Sequence, residues 1–221
     1  MAFKLAVSHP WDVSIAEAKQ LQLKLAQQVS LKDQFKNPRF VAGVDVGFED
    51  KGKITRAAIA VLNYPELTLI DKSITRTKTV FPYVPGYLSF RELPAVLIAL
   101  EQLKTIPDMF LCDGQGIAHP RRFGIACHLG VLTGIPSIGV AKSRLIGTYA
   151  EPGPTKGEQS DLYDKEEKIG IVLRSRSRVK PLYISPGHHI SMMSAVQWVL
   201  NCTTRYRLPE TTRVAHRLAS G

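Results

Sequence analysis

The chain contains 221 residues, 44% of them hydrophobic, and its 29 Lys and Arg residues outnumber its 19 Asp and Glu residues. This length and apolar fraction exclude a disordered or low-complexity chain and suffice for one large folded domain or two small ones. The three cysteines are odd in number and lack CxxC spacing, which excludes an obvious disulfide framework or thiolate zinc site.

The N-terminal segment lacks the long uncharged apolar core of a signal peptide, and no stretch of the sequence reaches transmembrane length. We therefore expect a cytoplasmic protein with reduced cysteines and no membrane partner. The sequence identifies no protein partner.

The excess of positive charge is concentrated near the C-terminus. Residues 172–221 carry eight basic residues and one acidic residue, whereas residues 101–171 carry eight basic and nine acidic residues. Clustered Lys and Arg side chains bind polyanions because they release the counterions condensed on phosphates. The charge pattern therefore indicates either a surface that holds the backbone of a nucleic acid or a solvated basic face.

The first part of the chain is predicted to form a helix followed by three strands. Apolar residues at helical spacing predict an amphipathic helix over 12–29. Strands are predicted over 40–48, 54–64 and 67–79, and the turn residues between them favour an antiparallel meander.

After the third strand, helices and strands are predicted to alternate. This order indicates an α/β protein whose mixed sheet is flanked by helices. The predicted helices are 87–103, 121–132 and 191–200, and the predicted strands are 109–112 and 136–140.

The segment 151–168 is polar and contains two prolines and two glycines. Such a composition is typical of a loop. We expect an exposed excursion within one domain.

Acidic residues interrupt or end two of the predicted apolar strands. Asp45 lies in the middle of FVAGVDVGF, and Asp113 directly follows MFLC and precedes GQG. Two carboxylates on different strands, beside Gly-rich backbone, suit a hard divalent cation. Asp45 alone is better explained by a structural ion pair with a nearby Lys or Arg. Glu92, on a predicted helix, is a third candidate, although by itself it is better explained as a solvated residue or a partner of Arg91.

Five long motifs follow one another along the chain. They are, in order, GVDVGF, FPYVPGYLSFRELP, CDGQGIAHPRRFGIACHLG, GVAKSRL and SPGHHIS. These motifs resemble those of the endonuclease V family, the deoxyinosine-specific 3′ endonucleases of DNA repair. The similarity extends from about Val41 to the C-terminal TRVAH segment.

This resemblance implies a ribonuclease H-like fold and a single endonuclease V-like domain over residues 1–221. It also implies hydrolysis of the second phosphodiester bond 3′ to a deaminated adenine, leaving a 5′-phosphate, with Mg²⁺ or Mn²⁺ as the cofactor. The implied substrate is double- or single-stranded DNA containing deoxyinosine, and inosine-containing RNA is a further candidate substrate.

The resemblance assigns catalytic roles to five residues by matching position. Asp45 and Asp113 resemble the metal-binding carboxylates, and Glu92 the third acidic residue of the active site. Lys142, in AKSRL, resembles a catalytic lysine that would offset charge at the phosphate. His216, in RVAH, resembles a late active-site histidine that would orient a water or transfer a proton.

Tyr83 is flanked by Pro82 and by the Val84–Gly86 turn, so the loop that carries it is stiff. An aromatic ring on a stiff loop can wedge into a base stack beside a flipped nucleotide. The commoner fate of a loop tyrosine is packing against its own protein. The resemblance to the family's Pro-Tyr-hydrophobic-Pro wedge favours the DNA-binding function.

A pocket for the base is also implied by the resemblance. Hypoxanthine presents O6 and N1–H where adenine presents an amine and a bare N1, so a donor aimed at O6 would reject adenine. Simple turn and core positions remain an alternative for these residues. The pocket residues are Gly86, Leu88, Gly116, Gly124, Ile125 and Leu145, with His119 nearby and with Arg121 and Arg122 as phosphate contacts or solvated residues.

Two other functions are consistent with the sequence. The first is a nucleic-acid-binding module of the same fold without catalysis, against which the presence of all three carboxylates and Lys142 argues. The second is a nuclease of related fold that cuts branched DNA and needs no inosine.

Overall fold

One eight-stranded sheet and five α-helices make up the structure, a computed structural model that describes residues 3–221. The helices are α1 (Ile15–Ala26), α2 (Leu88–Glu101), α3 (Ile125–Thr133), α4 (Met192–Asn201) and α5 (Glu210–Ser220). The strands are β1 (Phe40–Glu49), β2 (Ile54–Asn63), β3 (Leu69–Lys78), β4 (Met109–Cys112), β5 (Ser137–Ala141), β6 (Gln159–Asp164), β7 (Glu167–Leu173) and β8 (Leu182–His188).

The sheet is mixed and has the strand order β3-β2-β1-β4-β5-β8-β7-β6. β1, β2 and β3 form the expected antiparallel meander, and β4 and β5 then run parallel to β1. β8, β7 and β6 complete the sheet in antiparallel pairs. The prediction of a ribonuclease H-like mixed sheet flanked by helices is confirmed.

Helices cover both faces of the sheet. α2 and α3 bury Leu93, Val96 and Leu129 against one face, whereas α4 and α5 bury Val199 and Ala215 against the other. α1 packs outside α3 and forms no part of either central layer. Within residues 3–221, no helix has both the length and the apolar character that a membrane span requires.

α5 lies almost directly on β1. A Cβ atom at Gly43 would overlap the backbone carbonyl of Thr211, and one at Gly47 would overlap the carbonyl oxygen of Ala219. Only glycine permits two backbones to approach so closely. The two glycines therefore set the distance between this helix and the central strand.

The edge of the sheet formed by β6, β7 and β8 differs from the prediction. The segment 151–168 is not simply an exposed excursion, because it contains β6 and the start of β7. β6 is an edge strand in which Leu162 is the only buried residue, so it lacks the apolar alternation by which a strand is recognised. β8 was not predicted either, although six of its seven residues are buried.

Two helices also differ from the prediction. α3 begins at Ile125 rather than near residue 121, because Arg122 adopts a φ of +53° and Gly124 precedes the first turn in an extended conformation. α5 was not predicted: most of its residues are polar, although its few apolar residues, which include Val214 and Ala215, lie on one side of the helix.

We expect the substitution Gly43→Ala to destabilise the protein by about 3 kcal/mol or more, because the added methyl group displaces the backbone of α5. Urea unfolding monitored by circular dichroism measures this change. Gly157→Ala is the matched control: its added methyl meets no atom within 4 Å, so only the φ of +94° opposes it. We expect that control to cost about 1 kcal/mol, and equal costs for the two variants would contradict the proposed packing.

Candidate active site

The two carboxylates of the predicted metal site lie side by side on neighbouring parallel strands. In the pairing of β1 with β4, Val44 lies opposite Cys112, and the backbone N–H of Asp113 donates to the carbonyl of Val44 at 3.0 Å. Asp113 therefore lies level with Asp45. Both side chains point towards the face that α5 covers, because side chains alternate along a strand and Val41 and Leu111 also face that side.

Two basic side chains contact these carboxylates. His216, on α5, approaches Oδ2 of Asp45 with its Nδ1 at 2.7 Å. Lys142 directly follows β5 and forms an ion pair with Asp113. The Nζ of Lys142 also lies 3.5 Å from Nδ1 of His216. The four predicted residues thus form one contiguous cluster.

Glu92, the third predicted carboxylate, is buried at 7% exposure on α2. It is not a solvated helix residue, and Arg91 is occupied elsewhere by hydrogen bonds to the carbonyls of Phe81 and Gly52. Burial, followed by the charges of Asp45 and Asp113, raises the pKa of Glu92 well above its ordinary value. The side chain is therefore part of the same electrostatic system as the other two carboxylates.

The cluster has the donors that a divalent cation requires. One ligand atom from each of Asp45, Asp113 and His216 lies within 4.8 Å of the others. Burial and the neighbouring Asp113 carboxylate also raise the pKa of Asp45. The donor set of two carboxylate oxygens and one imidazole nitrogen fits a divalent cation such as Mg²⁺ or Mn²⁺. A bound cation would also relieve the repulsion between the two carboxylates.

A cavity of about 470 Å³ opens beside the cluster, and Asp113 and Lys142 are among the residues that line it. This volume falls in the range of pockets that bind small organic groups. Tyr83 lies on its rim and is 72% exposed, so its ring is not packed against the adjacent helix. Six of the predicted pocket residues line the cavity: Gly86, Leu88, His119, Gly124, Ile125 and Leu145.

Gly116 is the predicted pocket residue that does not line this cavity. Its N–H donates to Oγ of Ser185 at 2.8 Å, and a Cβ at this position would overlap the carbonyl of Pro186. Gly116 therefore packs against β8, and its place in the wall of the base pocket stays a prediction. Ile125 lines the cavity and also belongs to the apolar core between the sheet and its helices.

The sequence did not predict that Gln22, Ser89 and Phe123 line the cavity. Ser89 follows the predicted pocket residue Leu88, and Phe123 precedes Gly124. Their position next to predicted pocket residues could have indicated that they line the cavity. Gln22 lies on α1, and no local pattern indicates that this helix reaches the cavity.

The two arginines that were considered as phosphate contacts are engaged within the protein. Arg122 forms ion pairs with Asp164 at 2.7 Å and with Glu167 at 2.8 Å. Arg121 donates to the carbonyl of Gly86 at 2.6 Å, and its guanidinium lies 4.3 Å from the ring centre of Tyr87. The structure therefore gives neither guanidinium the free position of a phosphate contact.

Part of the basic C-terminal region also has an internal role. Arg174 is buried among the carbonyls of Gly153, Pro152 and Val179, and Arg213 pairs with Glu210. Arg207 donates to the carbonyls of Lys142 and Pro181. The exposed basic residues that remain between 172 and 221 are Arg176, Arg178, Lys180, Arg205 and Arg217.

Comparison with known proteins identifies the family. The family model of endonuclease V matches residues 23–217, most of the chain. The chain belongs to the endonuclease V family. The endonuclease V of Alkalilimnicola ehrlichii is 57% identical over 221 residues, which cover 100% of this chain and 97% of that relative.

Solved endonuclease V structures share the fold described above. The crystal structure of endonuclease V from Streptomyces avermitilis superposes with a TM-score of 0.91 at 40% identity, covering 100% of this chain and 96% of the other. Endonuclease V from Ciona intestinalis gives a TM-score of 0.80 at 28% identity, covering 93% and 95%. That structure is a complex with a 23mer DNA containing an inosine followed by a ribo-adenosine. The resemblance found in the motifs is confirmed, and the chain is an endonuclease.

We expect the substitution Glu92→Gln to stabilise the metal-free protein at neutral pH. The raised pKa of Glu92 means that the folded state binds its proton more tightly than the unfolded state does. The stability of the unsubstituted protein therefore falls as the pH rises above the ordinary glutamate pKa, and the neutral glutamine removes that loss.

Thermal unfolding in chelator from pH 5 to pH 8 measures this effect. The unfolding temperature of Glu92→Gln minus that of the unsubstituted protein should increase as the pH rises. Glu101→Gln, at the exposed end of the same helix, should show no such trend. If the difference in unfolding temperature between the Glu92 variant and the unsubstituted protein does not change with pH, the claim that burial and the neighbouring carboxylates raise the pKa of Glu92 is wrong.

Proposed function

We propose that this protein binds DNA containing deoxyinosine and hydrolyses the second phosphodiester bond 3′ to that nucleotide. The reaction requires Mg²⁺ or Mn²⁺ and leaves a 5′-phosphate and a 3′-hydroxyl. The substrate strand is in double- or single-stranded DNA, and inosine-containing RNA is a second substrate. We further propose that residues 1–221 act as one catalytic domain.

One observation carries this proposal: Asp113 and Lys142, which belong to the charged cluster, line the same cavity as Tyr83. A cavity that accepts a planar base and a carboxylate cluster that faces a phosphate are the two parts that lesion-specific cleavage needs. The inosine-containing DNA bound to the relative from Ciona intestinalis supports the choice of substrate.

The metal would be held by Asp45 and Asp113, with Glu92 facing the same site. A bound divalent cation supplies an acidified water and neutralises negative charge on the phosphate. The carboxylates do not provide either function alone, since their charges repel the phosphate.

Lys142 and His216 would carry the remaining chemistry. Lys142 follows the end of β5, and its ammonium group provides a fixed positive charge beside the carboxylates, where it offsets charge that develops at phosphorus. The hydrogen bond to Asp45 orients the ring of His216. In that orientation the imidazole can hold a water or transfer a proton to the leaving oxygen.

Recognition would precede the cut. Tyr83, exposed on the rim, would wedge into the base stack and support the duplex from which the base has been flipped. The flipped base would then enter the cavity past Gly86, Leu88 and Ile125. The exposed basic residues of the C-terminal region would hold phosphates.

Mapping the cut on a duplex with one deoxyinosine tests this function directly. We expect a single nick at the second phosphodiester bond on the 3′ side, a 5′-phosphate on the downstream fragment, and no nick when chelator replaces Mg²⁺. A nick at the modified nucleotide itself would contradict the proposal. Cleavage of a branched duplex without inosine, at a comparable rate, would instead favour the structure-specific nuclease.

We expect Asp45→Asn to lower the single-turnover nicking rate at least about 100-fold, because the isosteric amide removes a charged ligand without changing the packing. The circular dichroism spectrum should be unchanged. Asp161→Asn is the matched control. Asp161 lies in β6, and its partly exposed carboxylate forms an ion pair with Lys168 in β7. Nicking by the Asp45 variant at the rate of the Asp161 variant would overturn the assignment of the metal site.

A further inference from the structure

The backbone carbonyl of Gly86 accepts three hydrogen bonds from side chains. The donors are Nε2 of Gln22 at 3.0 Å, Nε2 of His119 at 3.0 Å and Nη2 of Arg121 at 2.6 Å. A carbonyl oxygen offers two lone pairs, so three donors saturate it. Gly86 belongs to the loop that carries Tyr83.

The hydrogen bonds of His119 define its tautomer. Nδ1 accepts from the backbone N–H of Arg121 at 3.2 Å, so the proton lies on Nε2, which donates to Gly86. Burial, reinforced by the charge of Arg121, lowers the pKa of His119 to about 4. The ring is therefore neutral at physiological pH and acts as a fixed single donor.

The side chain of Gln22 forms hydrogen bonds with both Gly86 and Arg121. Its side chain is 1% exposed on α1, and while Nε2 donates to Gly86, Oε1 accepts from Nε of Arg121 at 2.5 Å. Arg121 also stacks on Tyr87, the residue after Gly86. Both ends of the amide are thus used to hold the loop and its arginine in one position.

Gly86, which the three side chains hold, lies three positions after the exposed Tyr83. Gly86 has a φ of +81°, and a Cβ there would lie 2.9 Å from Nη2 of Arg121, so the turn and the anchor require glycine. The N–H of Tyr87 donates to the carbonyl of Val84 at 3.0 Å, which makes the segment after Tyr83 a short closed turn. Fixing Gly86 therefore fixes the position from which Tyr83 projects.

We propose that Gln22 is a positioning residue for lesion recognition. By holding Gly86 and Arg121 together, it presets the loop of Tyr83 and the adjoining wall of the cavity before DNA binds. This inference rests on the proposed function, because it assigns the loop to the recognition of deoxyinosine. Preorganisation of this kind strengthens binding by removing the cost of ordering the loop in the complex.

The position of Gln22 separates this role from catalysis. Gln22 lines the cavity but has no hydrogen bond to the acidic cluster, and its partners are Gly86, Phe123 and Arg121. Loss of its amide should consequently weaken the binding of modified DNA more than it slows hydrolysis once the DNA is bound.

The test compares Gln22→Met, which has a similar shape without hydrogen bonds, with Gln20→Met, an exposed position on the same helix. Affinities for a duplex with one deoxyinosine and for the same duplex with adenine are measured in chelator. Nicking rates are then measured with Mg²⁺ at saturating enzyme. We expect Gln22→Met to bind the deoxyinosine duplex about 10-fold more weakly, with a change of about 2-fold or less for the adenine duplex and about 3-fold or less in the saturated rate.

A double-mutant cycle with Tyr83→Ala distinguishes positioning from general destabilisation. If Gln22 acts through the Tyr83 loop, Gln22→Met should weaken the Tyr83→Ala protein by only about 2-fold, because the wedge that it positions is already gone. A purely structural effect would instead be additive and would lower affinity for both duplexes alike.

Gln22→Glu is a second variant in case the methionine impairs folding. Its carboxylate still accepts from Arg121 but cannot donate to Gly86, so discrimination between the duplexes should fall. Unchanged discrimination in folded Gln22→Glu or Gln22→Met, or additivity with Tyr83→Ala, would overturn the inference. Failure of the unsubstituted protein to nick deoxyinosine DNA would be a different result, since it would contradict the proposed function itself.

Discussion

The repulsion among three crowded carboxyl groups is the constraint on which the rest of this site depends. Asp45 and Asp113 lie level on adjacent parallel strands, and the buried Glu92 adds a third acidic group from α2. Charge of one sign in a poorly solvated place is costly, and here it raises the pKa of both Asp45 and Glu92. Lys142 offsets part of that charge, His216 forms a hydrogen bond with Asp45, and a divalent cation would offset more of the charge. The same crowding that lowers the stability of the metal-free protein thus makes the site suitable for a metal.

The fold brings this cluster together through close backbone contacts between neighbouring elements. His216 reaches Asp45 because Gly43 and Gly47 allow α5 to lie on β1. On the opposite side of the site, Gln22 of α1 reaches the loop of Tyr83 because its amide bridges Gly86 and Arg121. In both cases a residue distant in the sequence is held by a contact that tolerates little change. The chemistry and the recognition therefore depend on separate parts of the packing.

The sequence predicted the central strands and most of the acidic site, for identifiable physical reasons. β1 and β4 are short apolar runs, so an aspartate within or directly after them is conspicuous. The resemblance to a known family added Lys142 and His216. The helix that carries His216 was not predicted, because most of its residues are polar, although its few apolar residues lie on one side. β6 was missed because it exposes most of its side chains to solvent. Gln22 could not be predicted, since its function depends on how α1 packs against residues about 100 positions away.

The measurement that tests the central claim most directly is the anomalous difference density of crystals soaked in Mn²⁺. The account predicts a peak within bonding distance of carboxylate oxygens of both Asp45 and Asp113, and loss of that peak in Asp45→Asn crystals of the same form. Density at other surface carboxylates alone, or an unchanged peak in the Asp45→Asn protein, would contradict the claim that crowding of these carboxylates creates the metal site.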